Sequence, residues 1–147
     1  MSRRMVHLLF IIGTMASGAA MGFFVVPGQG YADVIRPFFA PPDWLFGPVW
    51  TVLYVLIGWA GARSYLDGGA FRLWLLQMAL NLTWTPVYFG LGAPWSGLVV
   101  IVLLLVAILA FIRAEWPRDR FTALLFAPYS AWVAFATVLN ASIAVLN

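Results

Sequence analysis

Five long apolar runs, separated by short stretches rich in polar residues, proline and glycine, dominate this sequence. Each run approaches the roughly 20 mostly apolar residues that an α-helix needs to cross a bilayer. The runs predict transmembrane helices over residues 5–26, 44–62, 73–91, 95–112 and 121–146. We therefore expect one domain over residues 1–147, an all-α integral membrane protein built as a five-transmembrane-helix bundle.

The loop over residues 27–42 is long for so small a protein, and it leads into the second run. Pro41 and Pro42 fix the backbone φ angle and disfavour helix before them, and Asp43 is a residue type that accepts hydrogen bonds from the first N–H groups of a helix. Trp44 then falls at the bilayer interface, where aromatic rings are favoured. We expect a helix to begin here with Asp43 as its N-cap.

Composition supports a membrane protein, because 64% of the residues are hydrophobic and only 9% are charged. Soluble domains carry about 25% charged residues. The absence of cysteine excludes disulfides and thiolate catalysis. The N-terminus, Ser2-Arg3-Arg4 followed by an apolar run, resembles a signal peptide, but the run is longer than a typical signal h-region. We expect it to be retained as the first helix.

The eight basic residues are all arginine, and the net charge is +3. They lie at the ends of the apolar runs, which favours a topology signal over a nucleic-acid surface. On a five-span topology one side carries seven of them and the other only Arg36; the seven are Arg3, Arg4, Arg63, Arg72, Arg113, Arg118 and Arg120. The positive-inside rule then places the N-terminus in the cytoplasm, in a bacterial cell (inner) membrane, with the outer membrane as the alternative.

No Asp, Glu, Lys or Arg lies inside a predicted span. This argues against an ion- or proton-coupled carrier, because such carriers place ionisable groups at membrane depth. It also removes the usual acid–base catalysts from the interior.

Polar and aromatic residues recur at helical spacing in the third and fifth runs. The third-run stripe is Gln77, Asn81, Trp84, Thr85 and Tyr88, and the fifth-run stripe is Tyr129, Trp132, Ala136 and Asn140. The amides either join helices by hydrogen bonds or line a cavity, and the two roles are compatible. Pro86 is expected to kink the third helix beside its stripe.

The tryptophans divide into two groups. Trp44, Trp95 and Trp116 fall at the ends of runs, as in an interfacial girdle, whereas Trp50, Trp84 and Trp132 lie deeper. Aromatic faces with a few amides and no charge are typical of a pocket for a flat, apolar ligand. With no cysteine and one remote histidine, haem ligation is disfavoured, so we expect a metal-free macrocycle, no metal site and no cofactor.

Small residues suited to close helix contact occur in the first and third runs, at Gly13, Ser17, Gly18, Gly22, Ala79 and Thr83. Such patterns mediate either dimers or tight packing within one bundle. Sequence alone favours packing slightly.

The sequence resembles the TspO/MBR family, which includes tryptophan-rich sensory proteins and translocator proteins (peripheral benzodiazepine receptors). The residues that carry the resemblance span nearly the whole chain: Pro37, Pro41-Pro42, Trp50, Leu53-Tyr54, Gln77, Asn81, Trp84, Pro86, Phe89, Pro128-Tyr129, Trp132, Ala136-Thr137 and Leu139-Asn140. The resemblance implies a five-helix bundle, commonly a homodimer in bacteria, whose first loop covers a pocket for porphyrins and benzodiazepine-type drugs.

The resemblance also implies individual roles. The matching pocket positions are Trp50, Asn81, Phe89, Trp132 and Ala136, with Phe38 and Pro41 in the lid. The same faces add Tyr54, Trp84 and Asn140 as candidate ligand contacts. Light-dependent porphyrin degradation in the family is attributed to pocket tryptophans, which makes Trp50 and Trp132 the candidates for such a reaction.

One departure from the family concerns sterol binding. The vertebrate cholesterol motif needs a tyrosine and then a basic residue after the last Leu-Asn, and residues 141–147 contain neither. Such motifs are weak predictors, and we do not expect cholesterol as a partner at this end.

The residues and the resemblance together leave three functions open. The first is a membrane protein that binds a tetrapyrrole such as protoporphyrin IX and senses, transports or disposes of it. The second is an enzyme that degrades porphyrin in light, and the third is a regulatory protein whose ligand modulates its contacts. The apolar runs require the lipid bilayer as solvent for all three.

Overall fold

The computed structural model describes residues 1–24 and 34–147, and these residues are helical apart from short connections. The helices are α1 (Arg3–Phe24), α2 (Phe46–Leu66), α3 (Phe71–Thr85), α4 (Pro94–Glu115), α5 (Arg120–Leu125) and α6 (Ala127–Leu146). A 3₁₀ turn, Asp43–Leu45, precedes α2, and a π-helical turn, Pro86–Gly90, follows α3. The all-α bundle expected from the apolar runs is confirmed.

Four helical stretches in the described part of the chain are long and apolar enough to cross a membrane: Arg3–Phe23, Asp43–Leu66, Pro94–Glu115 and Arg120–Leu146. The third expected span is not among them, because its α-helix has only 15 residues. The chain nevertheless stays helical to Gly90 through the π turn. Pro86, expected to kink this helix, therefore marks a change of helix type.

The fifth run consists of two helices, α5 and α6, that meet at Phe126. Pro128 falls in the first turn of α6, where a missing N–H leaves no gap in the helical hydrogen bonds. The end of the first predicted span and the first part of the loop, residues 27–33, lie outside the described residues.

The bundle is held by close helix packing and a shared apolar core. α1 packs on α2, and α4 packs on both α3 and α6. Gly58 lets α1 and α2 approach, since a Cβ there would lie 2.6 Å from Ile11 Cα. The Thr14 hydroxyl, on the same surface, donates to the Tyr54 carbonyl oxygen at 2.8 Å. The side chains of Ile57, Ile108, Phe111, Phe126 and Val133 are fully buried.

Charged side chains gather at the end of the bundle where α1 begins. Arg3 pairs with Asp67, Arg63 with Asp119, and Arg118 with Glu115, each at 2.7–2.8 Å. The Glu115 side chain is fully buried, and its other oxygen accepts a hydrogen bond from the Ala70 N–H at 2.6 Å. The arginines at this end therefore join the helices of the bundle in addition to marking a membrane face.

Asp119 is the N-cap of α5 and accepts hydrogen bonds from the Thr122 N–H and hydroxyl. Burial acts to raise the pKa of this carboxyl, but hydrogen bonds from Thr122 and Arg63 and the Arg63 charge outweigh it, so its pKa lies below the ordinary value.

The expectation that Asp43 caps α2 is wrong. Asp43 begins the 3₁₀ turn, whose N-cap is Pro42, and the N-cap of α2 is Leu45; neither N-terminus has a side-chain capping hydrogen bond. The Asp43 carboxylate instead pairs with the Arg36 guanidinium at 2.8 Å. The Asp43 carboxylate could accept hydrogen bonds either from the N–H groups of a helix N-terminus or from an arginine, and in this structure it pairs with Arg36.

Candidate functional site

A cavity of about 700 Å³ lies among α1, α2, α3 and α4, in the half of the bundle nearer residues 34–45. Its volume is within the range of small-molecule sites. We call it the main cavity. None of the described residues that line it is charged, so it suits a ligand that is apolar over most of its surface.

Aromatic rings form much of the main cavity wall. Trp50 and Tyr54 contribute from α2, with ring centroids 5.5 Å apart. Trp84 and Phe89 contribute from α3 and its π turn, with centroids 5.5 Å apart and planes at 82°. The π turn matters here, because the change in helix pitch after Thr85 sets the direction in which Phe89 projects.

A chain of hydrogen bonds runs from the main cavity into the core. The Tyr54 hydroxyl donates to Asn81 Oδ1 at 2.7 Å, and Asn81 Nδ2 donates to the Tyr129 hydroxyl at 2.7 Å. Tyr129 in turn donates to Gln77 Oε1 at 2.8 Å. Asn81 therefore lines the cavity and also joins α2, α3 and α6, whereas Gln77 is fully buried.

A second, much smaller cavity of about 30 Å³ lies against α6. Ala136 and Asn140 line it from α6, and Pro41 and Arg36 line it from the segment before α2. We call it the small cavity. Three side chains, those of Phe46, Trp84 and Phe89, contribute to the walls of both cavities and form the partition between them.

The partition is fixed by polar contacts as well as packing. The Trp84 indole N–H donates to Asn140 Oδ1 at 3.1 Å, and Asn140 Nδ2 donates to the Pro94 carbonyl oxygen at 2.8 Å. Trp84 also stacks on Tyr88, with ring centroids 5.0 Å apart and planes at 15°. One amide thus orients the central tryptophan and ties α3, α4 and α6 together.

The structure brings eight of the ten candidate ligand residues to these two cavities. Trp50, Tyr54, Asn81, Trp84 and Phe89 line the main cavity, and Pro41, Ala136 and Asn140 line the small cavity together with Trp84 and Phe89. Their contact with a ligand stays a prediction.

Phe38 and Trp132 are not brought to either cavity wall. Phe38 is fully exposed, with its ring edge-on to Phe39 at 5.5 Å. The Trp132 ring packs edge-on against that of Phe46, with centroids 5.7 Å apart, so Trp132 contacts a residue of the partition without lining a cavity itself. Its indole N–H is buried and has no hydrogen-bond partner among the described residues.

The contribution of α1 to the main cavity was missed by the sequence analysis. Gly18, Ala19 and Gly22 all line it. The small-residue pattern was the available signal, but it was interpreted as helix contact. A Cβ at Gly22 would meet nothing within 4 Å, whereas one at Gly18 would collide with the Tyr54 ring. At Gly22 the missing side chain leaves open space at the cavity wall.

Comparison with known proteins finds the same family that the sequence motifs indicated. The sequence model of the TspO/MBR family matches residues 8–146. This chain belongs to the TspO/MBR family. It is 38% identical to the tryptophan-rich protein TspO of Archaeoglobus fulgidus over 145 residues, which cover 93% of this chain and 94% of the relative.

Two further relatives show how widely the TspO/MBR pattern extends. The tryptophan-rich sensory protein of Cereibacter sphaeroides is 34% identical, with 90% of this chain and 87% of the relative covered. The human translocator protein is also 34% identical, with 84% and 79% covered. The family and the apolar helices together establish an integral membrane protein.

Proposed function

We propose that this protein binds a tetrapyrrole within the membrane and takes part in sensing, transporting or disposing of it, with protoporphyrin IX or a related metal-free porphyrin as ligand. The observation that carries the proposal is the uncharged, aromatic main cavity of about 700 Å³. A porphyrin ring is flat and apolar on both faces, so indole and phenyl rings offer it stacking and edge contacts.

The polar groups of the main cavity suit the same ligand. The Tyr54 hydroxyl and Asn81 amide form one polar spot on an otherwise apolar wall. A few placed hydrogen-bonding groups orient a ligand without the cost of burying a charge. Benzodiazepine-type drugs share the flat aromatic body and the few polar atoms, and we expect them to compete for this cavity.

Filling the main cavity tests the proposal. Gly22→Leu places a side chain in open space at the cavity wall, so porphyrin binding should weaken at least tenfold while the bundle stays folded. Gly13→Leu is the matched control, because a Cβ at Gly13 also meets nothing within 4 Å but lies on a different groove. Titration of protoporphyrin IX, followed by tryptophan quenching, measures both. Equal affinity in the two variants would place the porphyrin site elsewhere.

The second candidate function is light-dependent degradation of the bound porphyrin. It is favoured by Trp50, whose ring lies at the main cavity wall 5.5 Å from that of Tyr54. Under illumination with dioxygen as oxidant, Trp50→Phe should lose porphyrin breakdown more than porphyrin binding. Trp132→Phe should reduce porphyrin breakdown less, because Trp132 packs against Phe46 and lines neither cavity. Breakdown that continues unchanged in Trp50→Phe would leave binding alone as the function.

The proposal includes assembly and location. We propose a homodimer that uses the outer face of α3, where Leu75, Leu76, Ala79 and Thr83 are all exposed. We also propose that the end carrying the clustered arginines faces the cytoplasm, in a bacterial cell membrane, so that the segment over the small cavity faces outward.

A further inference from the structure

Arg36 lies at the rim of the small cavity. In the five-span topology it is the basic residue that is separated from the other seven. Its Nη1 is 2.8 Å from Asp43 Oδ1, and the two side chains are 33% and 73% exposed. A cation therefore lies beside an otherwise uncharged cavity lining.

The backbone beside Arg36 is fastened to the cavity wall. The Ile35 N–H donates to Asn147 Oδ1 at 2.8 Å, and Asn147 Nδ2 donates back to the Ile35 carbonyl oxygen at 2.9 Å. The same amide donates to the carbonyl oxygen of Ile143, which lines the small cavity. This two-way contact with the end of α6 fixes the segment that carries Arg36.

Three aromatic residues line both cavities and so lie between them. Phe46, Trp84 and Phe89 separate the small cavity from the main cavity. Across these rings from the main cavity, the small cavity has Arg36 in its lining. Arginine is well suited to a carboxylate there, because its planar N–H groups match both carboxylate oxygens.

We propose that Arg36 recognises a carboxylate of the ligand, so that the ligand class is an apolar macrocycle with acidic side chains. The incoming carboxylate replaces that of Asp43, which holds the arginine in place until then. An ion pair as exposed as Arg36–Asp43 is weak, so the exchange costs little. This inference rests on the proposed function and adds which chemical group is recognised.

The test compares protoporphyrin IX, which carries two propionates, with its dimethyl ester. Both are titrated into the full chain in phosphatidylcholine nanodiscs, as wild type, Arg36→Gln, Asp43→Asn and Arg113→Gln. Arg113 is an exposed arginine at the opposite end and controls for net charge. Arg36→Gln should weaken binding of the diacid roughly fivefold, the size of a partly exposed charge-assisted pair, and leave the ester unchanged. Asp43→Asn should tighten binding of the diacid.

Several results would overturn this inference while leaving porphyrin binding intact. An equal loss for diacid and ester in Arg36→Gln would mean that the arginine only holds the segment in place. An unchanged diacid affinity, or the same loss in Arg113→Gln, would also exclude recognition by Arg36. If Arg36→Gln does not fold, Asp43→Asn decides, and unaltered diacid affinity there overturns the inference. Wild-type protein that binds neither compound would refute the proposed function itself.

Discussion

Tyr54 is the residue on which the geometry of the main cavity most depends. Its hydroxyl donates to Asn81 on α3, its carbonyl oxygen accepts from Thr14 on α1, and its ring lies over Gly18. Three helices therefore meet at one side chain that also forms the cavity wall. A change at any of these contacts should alter both stability and the site.

Gly18→Ala tests this dependence. The added methyl would overlap the Tyr54 ring, so the ring must move and its hydrogen bond to Asn81 is strained or lost. We expect a loss of about 1–3 kcal/mol in unfolding free energy, typical of overpacking. Gly22→Ala, on the same helix with open space around the added methyl, should be neutral or stabilise by about 0.5–1 kcal/mol. Reversible unfolding in detergent checks both, and equal effects would show that Tyr54 is not held by Gly18.

Asp119 predicts a pH dependence of stability. Its folded-state pKa is lowered, so its contribution is fully present above the unfolded-state pKa of about 3.9 and is lost as pH falls through the folded value. Asp119→Asn keeps a capping side chain and removes the charge facing Arg63. We expect it to cost about 1 kcal/mol at pH 7, with the difference from wild type shrinking below pH 4. A gap that stays constant with pH would assign the effect to something other than this carboxylate.

At the level of whole helices, much of the fold followed from apolar run length, because the bilayer demands helices of about 20 residues. What sequence could not supply was relative placement. Trp132 and Ala136 share a stripe on α6, yet only Ala136 reaches a cavity, because the ring of Phe46, the first residue of α2, packs edge-on against Trp132. The identity of that covering residue depends on how separate helices pack, which helical spacing within one run does not encode.

In the third helix, the local backbone geometry could likewise not be predicted from the sequence alone. Pro86 predicted a disturbance, since it lacks an N–H and crowds the preceding turn. Whether the chain kinks or widens into a π turn depends on its neighbours. Here Tyr88 stacks on Trp84, and the Leu91 N–H bonds to the Pro86 carbonyl oxygen at 3.0 Å. The i, i+4 ring stacking and the π-type hydrogen bond occur in the same stretch of helix.

The outer face of α3 carries a prediction about assembly. Ala79 and Thr83 are exposed, so within one bundle they do not provide the close packing that sequence alone slightly favoured. In a dimer, small residues would let two copies of α3 approach closely. Ala79→Leu should therefore shift detergent-solubilised protein toward monomer, as measured by light scattering. Val138→Leu, on an exposed part of α6, is the control. An unchanged mass for Ala79→Leu would remove α3 from the proposed interface.

Across the whole molecule, charge separates the two ends of the bundle. The pairs Arg3–Asp67, Arg63–Asp119 and Arg118–Glu115 lie at one end, and Arg36–Asp43 lies at the other. Because acidic residues pair with several of these arginines, the same side chains that orient the chain also connect α1 to the end of α2 and α2 to the start of α5. Orientation and stability are thus coupled at that end, whereas the opposite end keeps a single arginine beside the site.

This asymmetry gives a prediction about orientation. The arginine-rich end should remain on the cytoplasmic side, because cations near the ends of spans resist translocation. The chain has no cysteine, so single cysteines report sidedness without background. Ser2→Cys and Phe38→Cys are both suitable, since residue 2 is exposed at one end and the Phe38 side chain is fully exposed at the other. In intact cells, a membrane-impermeant maleimide should label Phe38→Cys and reach Ser2→Cys only after the membrane is opened. If both cysteines are labelled from outside, the chain does not cross the membrane once between them. If only Ser2→Cys is labelled, the protein has the orientation opposite to the one proposed.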